Sequence, residues 1–278
     1  MIKDVTVYLD GSAADEARIE HAAAVCARFD AHLTALFLNA LPSIVVAADA
    51  GAPAMIDWQM QEEAIASGDA AQSRLAERLA RAAPRTEFRR RDLYSGRFGD
   101  AVAGLGRTGD ITVVSQPYGD GAAELDPDVV EGALFGSGRG ALIVPRTGAV
   151  PAEFRDIVIG WRNSREAARA VAEAMPFLRR ARRVLITMVD EQRAPAEDGL
   201  EPAADIARHL DRHGVSVEIR HLSRWDRPGE GLINEAGPLG ADMIVAGAYG
   251  HSRLREWVMG GTTRDLLTDC PVPLLMAH

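Results

Sequence analysis

Two glycine clusters separated by a short polar stretch are the residues of this chain best suited to chemistry. Gly247-Ala-Tyr-Gly250 follows the apolar run Asp242-Met-Ile-Val-Ala246, and Gly260-Gly261-Thr262-Thr263 leads into Arg264-Asp-Leu-Leu. The run reads as a buried strand and the later segment as a helix, so both clusters fall in one strand-turn-helix unit. Glycine lets the backbone turn and leaves its amide uncovered. A helix start adds free N–H groups and the positive end of the macrodipole, and two threonines add hydroxyl donors. Together these groups suit phosphate oxygens. The amides of Gly250, Gly260, Gly261 and Thr262 are the candidate donors, with Gly247 supplying the turn. The hydroxyls of Thr262 and Thr263 add hydrogen bonds or reach a magnesium ion. The same residue types also make plain turns and helix caps, so spacing and position carry the reading.

Other phosphate-binding patterns are missing. No Gly-Lys-[Ser/Thr] occurs, and Leu9-Asp10-Gly11-Ser12 stands after the first strand where a dinucleotide fold would place Gly-x-Gly-x-x-Gly. Without a P-loop lysine, phosphoryl transfer lacks one means of stabilising charge, so any ATP hydrolysis should be slow. No Gly-x-Ser-x-Gly elbow or nucleophile–base pair stands out. A binder or sensor is expected rather than an enzyme. His209 and His213 share a helical face at i and i+4, but no third metal ligand accompanies them. Trp58, Trp161 and Trp257 read as packing residues.

Bulk properties narrow the class. A chain of 278 residues has the length of two domains, and 47% apolar with 26% charged residues is ordinary for a globular protein. A net charge of −9 argues against nucleic acid as a partner. The basic run Arg85–Arg91 is interrupted by Glu87 and reads as a solvated strand edge. The two cysteines, Cys26 and Cys270, imply neither a disulfide framework nor a zinc site. No apolar stretch is long enough to span a bilayer and no leader pattern opens the chain, so a cytoplasmic location away from membranes is expected.

The chain repeats itself, and the repeat sets the fold. Val5–Leu9, Asp10-Gly11-Ser12 and a helix from Ala14 answer to Ile157–Trp161, Arg162-Asn163-Ser164 and a helix from Glu166. Ser12 and Ser164 stand at the N-cap positions. Second strands follow at His32–Leu38 and Arg183–Val189. Asp110–Val114 and Ala141–Val144 answer to Asp242–Ala246 and Pro273–Met276, and a gap-free comparison joins them. Strands alternating with amphipathic helices predict two doubly wound α/β domains, each with a parallel five-stranded sheet. The Pro/Gly-rich link at 145–151 divides the chain into domains 1–147 and 152–278.

The spacing Gly-x2-Gly-x9-Gly-Gly-Thr-Thr resembles the nucleotide loop of the universal stress protein family. The strand-Asp-Gly-Ser-helix opening resembles that family's start, and Pro271-Val-Pro-Leu-Leu-Met276 its final strand. The resemblance covers nearly the whole chain as a tandem pair and is most specific near its end. It implies a Rossmann-like fold of the adenine nucleotide alpha hydrolase type and binding of ATP, ADP or AMP. It also implies domains paired through their last strands and a regulatory role under stress. Homodimer formation is a further expectation. In the family an aspartate after the first strand contacts the adenosine part. Asp10 matches it, but the second half has Arg162, which offers only donors and would stack on the base or meet a phosphate. Val189, after the second strand, is placed to line an adenine pocket.

The first half departs elsewhere. In the gap-free comparison Ser115 and Tyr118 replace Gly247 and Gly250, Asp128 and Val129 replace Gly260 and Gly261, and Val130 and Glu131 replace Thr262 and Thr263. Asp126, Asp128 and Glu131 either repel phosphate or cap a helix. Nucleotide is therefore expected mainly in the second half. The alternative is an interaction protein of the same fold that binds no nucleotide.

Overall fold

The computed structural model describes residues 1–42, 58–83, 85–189, 203–223, 225–248 and 261–278. The first half runs β1 (Asp4–Leu9), α1 (Asp15–Phe29), β2 (His32–Leu41), α2 (Trp58–Ala82) and β3 (Thr86–Tyr94). It continues with α3 (Phe98–Gly106), β4 (Ile111–Ser115), α4 (Asp126–Glu131), a π-helical turn at Gly132–Gly136, and β5 (Gly140–Val144). The second half repeats the order with β6 (Asp156–Gly160), α5 (Arg165–Leu178), β7 (Arg183–Val189), α6 (Ala204–Arg212) and β8 (Val217–Leu222). It ends with α7 (Pro228–Leu239), β9 (Met243–Gly247), α8 (Gly261–Asp269) and β10 (Leu274–Ala277).

Each half is a doubly wound parallel sheet, as the alternation of elements predicts. The two five-stranded sheets join into one of ten strands, ordered β3-β2-β1-β4-β5-β10-β9-β6-β7-β8. Among the described strands only the central pair, β5 with β10, is antiparallel. Continuous apolar strands such as Val5–Leu9 and Ala141–Val144 are buried on both faces, which parallel sheets require. Helices α1, α2, α5 and α6 cover one face, with Ile19, Leu75, Phe177 and Leu210 in its core. Helices α3, α4, α7 and α8 cover the other, with Phe98, Val130, Leu232 and Leu266. The outer strand β3 alternates toward solvent, and β8 is exposed from Glu218 to His221. The basic run lies on β3, where Arg89 pairs with Glu87 and Arg90 with Asp69 and Asp92.

The repeat extends to single hydrogen bonds. Asp110 Oδ2 accepts from the amides of Lys3 at 2.6 Å and Asp4 at 3.0 Å. Asp242 Oδ2 accepts from Arg155 at 2.8 Å and Asp156 at 3.0 Å. Register corrects the gap-free comparison, however. Val113 stands opposite Leu142, but Val245 stands opposite Leu275 rather than Leu274. The second half holds one more residue between its last two strands. The segments matched in length only because β10 was expected to stop at Met276, whereas it runs to Ala277. A second correction concerns the serines. Ser164 caps α5 by accepting from Ala167 N at 3.2 Å, but Ser12 makes no cap on α1. Its Oγ faces Arg18 instead, 3.1 Å from Nη2.

Candidate functional site

In an open parallel sheet, ligands lodge past the carboxyl ends of the strands where the winding reverses. In the second half that point lies between β6 and β9, which are neighbours although β7 and β8 intervene in sequence. Four of the expected residues fall at this edge. Val189 ends β7 and is half-buried, while Gly247 ends β9. Arg162 is exposed two residues past β6, and Gly261 opens α8. Thr262 is half-buried and Thr263 buried, so α8 presents Gly261 and Thr262 outward and turns Thr263 in. Gly250 and Gly260 lie outside the described residues.

The two described glycines differ in kind. A Cβ at Gly247 would stand 2.6 Å from Ala167 N and 2.7 Å from the Glu166 carbonyl carbon. Its missing side chain makes room for the first turn of α5, so it serves packing rather than the expected turn. A Cβ at Gly261 would meet no described residue within 4 Å. Bare backbone at an open helix start is what an oxyanion needs.

Sequence reasoning passed over the first turn of α7, Pro228-Gly229-Glu230-Gly231. A Cβ at Gly231 would lie 3.5 Å from Val189 Cγ1, and one at Gly229 would lie 2.8 Å from the Thr262 carbonyl oxygen. Gly229 thus lets α7 meet the start of α8, and Gly231 stands beside the end of β7, so one helix adjoins residues expected to hold base and phosphate. Arg227, preceding this turn, pairs with the buried Asp265 of α8. The signal was present as Pro-Gly-x-Gly at a helix start.

The same edge of the first half is filled by its own charges. Arg18 of α1 is fully buried, with Nη2 2.6 Å from Asp10 Oδ1 and 2.8 Å from Asp15 Oδ1. Its guanidinium lies 4.8 Å from the centre of the Tyr8 ring. Asp15 also accepts from the amides of Asp10 at 3.2 Å and Gly11 at 2.7 Å, the latter glycine having φ +84°. Burial raises the Asp15 carboxyl to about 7 against the pull of Arg18. Burial also raises Asp10, but Arg18 and Ser12 outweigh it and hold that carboxyl below its ordinary value. In the second half the places of Tyr8, Asp10, Asp15 and Arg18 fall to Gly160, Arg162, Ala167 and Ala170. No ion cluster forms from those residues.

The first-half acids have structural partners. A Cβ at Gly99 of α3 would stand 2.7 Å from the Asp128 carbonyl oxygen, and one at Gly229 stands 2.8 Å from that of Thr262. By packing, Asp128 rather than Val130 is the counterpart of Thr262. Its Oδ2 accepts from Gly99 N at 2.8 Å, so it caps α3. Asp126 is buried, accepts from Ala123 N at 2.6 Å and pairs with Arg146.

Among the described residues no group of three or more His, Cys, Asp or Glu could hold a metal ion. The His209 and His213 rings meet edge-on at 4.7 Å. Cys26 and Cys270 are free and buried, and burial pushes both thiols up to about 12. No helix among the described residues is long and apolar enough to cross a membrane. A surface hollow lined by Ala152, Glu153, Arg155, Asp156 and Asp242 sits at the amino ends of the strands, away from the edge described above.

The model of the universal stress protein family matches residues 153–278. Comparison with curated proteins finds no match. Among solved structures the chain is similar to a universal stress protein from Archaeoglobus fulgidus DSM 4304. That likeness has 16% identity and a TM-score of 0.72, covering 99% of this chain and 95% of that one. It is also similar to a functionally unknown protein from Pseudomonas aeruginosa PAO1, at 15% identity and a TM-score of 0.59, covering 99% and 92%. At such identities these likenesses speak to fold. Residues 153–278 belong to the universal stress protein family, and the α/β fold they form is repeated along the chain.

Proposed function

We propose that the chain is a tandem universal stress protein whose second domain, residues 152–278, binds ATP, ADP or AMP, with Mg2+ where phosphates are present. The first domain, residues 1–147, is a degenerate partner, so the nucleotide is bound mainly by the second. The role is regulatory and cytoplasmic rather than catalytic, with hydrolysis slow at most and further association into homodimers. The observation that carries this reading is the backbone at Gly261, uncovered by any described residue, where α8 starts at the carboxyl edge of the sheet. The contrast between halves supports it. Where Arg18, Asp10 and Asp15 fill the first half, the second has Ala170, Arg162 and Ala167.

Gly261→Asp tests the site. An acid in the first turn of a helix favours the helix but repels phosphate. The variant should keep the melting temperature of the parent and lose ATP binding by calorimetry. Equal affinity in the two proteins would rule out the assignment. A second reading, an interaction protein without nucleotide, is favoured by Arg162, which cannot accept a hydrogen bond from an adenine amino group. Mass spectrometry of small molecules released on denaturation separates the two, since co-purified ATP, ADP or AMP excludes the second.

A further inference from the structure

Arg146 and His278 stand just past the last strands of their halves and do the same job. Arg146 Nη2 donates to the Gln116 carbonyl at 2.9 Å, and His278 Nδ1 lies 3.2 Å from the Ala248 carbonyl. A carbonyl oxygen only accepts, so Nδ1 carries the proton in that bond. Gln116 and Ala248 are the first residues past β4 and β9, where the chain leaves the sheet.

The support behind the two bonds differs. Arg146 is backed within its own half by Asp126, which also takes the Ala123 amide. The His278 ring instead packs edge-on against Phe135, with ring centres 4.8 Å apart at 72°. Phe135 belongs to the first half, in the π-helical turn at Gly132–Gly136. The carbonyl that ends β9 is thus fixed by a side chain that the other half holds in place.

On the nucleotide reading given above, we propose that the first half positions the second half's ligand site through Phe135 and His278. The phosphate donors expected at that site are chiefly main-chain amides, so its affinity depends on where the backbone is held beforehand. Phe135 and His278 act as positioning residues. They set the exit of β9, while Gln116 Nε2 holds the far end of α8 by donating to the Cys270 carbonyl at 2.7 Å.

The test uses the full chain with Phe135→Ala and His278→Ala, and Arg180→Ala as control. Arg180 also links the halves, donating to the Arg28 carbonyl and lying 4.7 Å over the Phe29 ring, but at the opposite ends of the strands. Two readouts apply: calorimetric affinity for ATP with magnesium, and hydrogen exchange at the Ala248 amide without nucleotide. That amide donates to the Ala277 carbonyl at 2.9 Å. Phe135→Ala and His278→Ala should each weaken ATP about tenfold and speed Ala248 exchange about tenfold, with Arg180→Ala unchanged in both. Unaltered exchange in the first two variants, or an equal loss in the control, overturns the proposal. If the parent protein takes up no ATP, the nucleotide reading fails by itself and the exchange readout still decides whether Phe135 and His278 hold the β9 exit.

Discussion

Arg18 sets the character of the first half at the scale of a single residue. A guanidinium without solvent survives because two carboxylates and an aromatic face surround it. Removing one partner from such a group leaves the others buried and uncompensated, at a cost of about 3–5 kcal/mol. Arg18→Met should lower unfolding stability by that amount in a denaturant titration. Replacing Asp10 and Asp15 by Asn in the same chain should restore most of it, because the buried charges then disappear together. A single variant as stable as the parent would show that the cluster contributes nothing. In the sequence Arg18 was indistinguishable from a solvated helix residue. It shares a face with Ala22, Val25, Cys26 and Phe29, and that periodicity marked the stripe as core. What marked the exception was Asp15 one turn earlier and Asp10 at the strand end, a pairing visible only once α1 is folded onto β1.

Among elements, close approach separates two glycines that look alike in a motif. Gly247 and Gly261 both belong to the Gly-x2-Gly-x9-Gly-Gly pattern, yet one faces the backbone of α5 and the other meets no described residue. Gly247→Ala must therefore move main-chain atoms at the N-terminus of α5, and overpacking of this kind costs roughly 1–3 kcal/mol. The variant should melt at a lower temperature than Gly261→Asp, and a melting temperature equal to the parent's would contradict the packing role. The strands themselves were legible because β1, β5, β6 and β9 are continuous apolar runs, which a sheet covered on both faces demands. The register of β10 was not, since an extra residue in a connection leaves the hydrophobic pattern of both neighbours unchanged. The first turn of α7 was legible only as the helix start Pro-Gly-x-Gly, since its glycines act through helix contacts distant in sequence.

For the molecule as a whole, the antiparallel pair at the centre replaces two sheet edges with one ladder. Leu142 faces Leu275, Ile143 faces Leu274 and Ala141 faces Met276. Leu142 and Leu275 are counterparts in the repeat, so a local two-fold axis passes between them, the arrangement a self-complementary interface requires. Joining the edges this way shields both from pairing with other chains. It also merges the cores, because Leu142 and Leu275 belong to one apolar layer that runs from α1 to α5. Halves that share a layer should unfold together. A calorimetric scan should show one transition with equal calorimetric and van't Hoff enthalpies. Leu275→Ala, which removes fully buried methyl groups at the axis, should cost about 2–5 kcal/mol and shift that transition without splitting it. Two transitions in the parent, or a shift confined to one of two in the variant, would mean that the halves fold independently and that the ladder between β5 and β10 carries little of the stability.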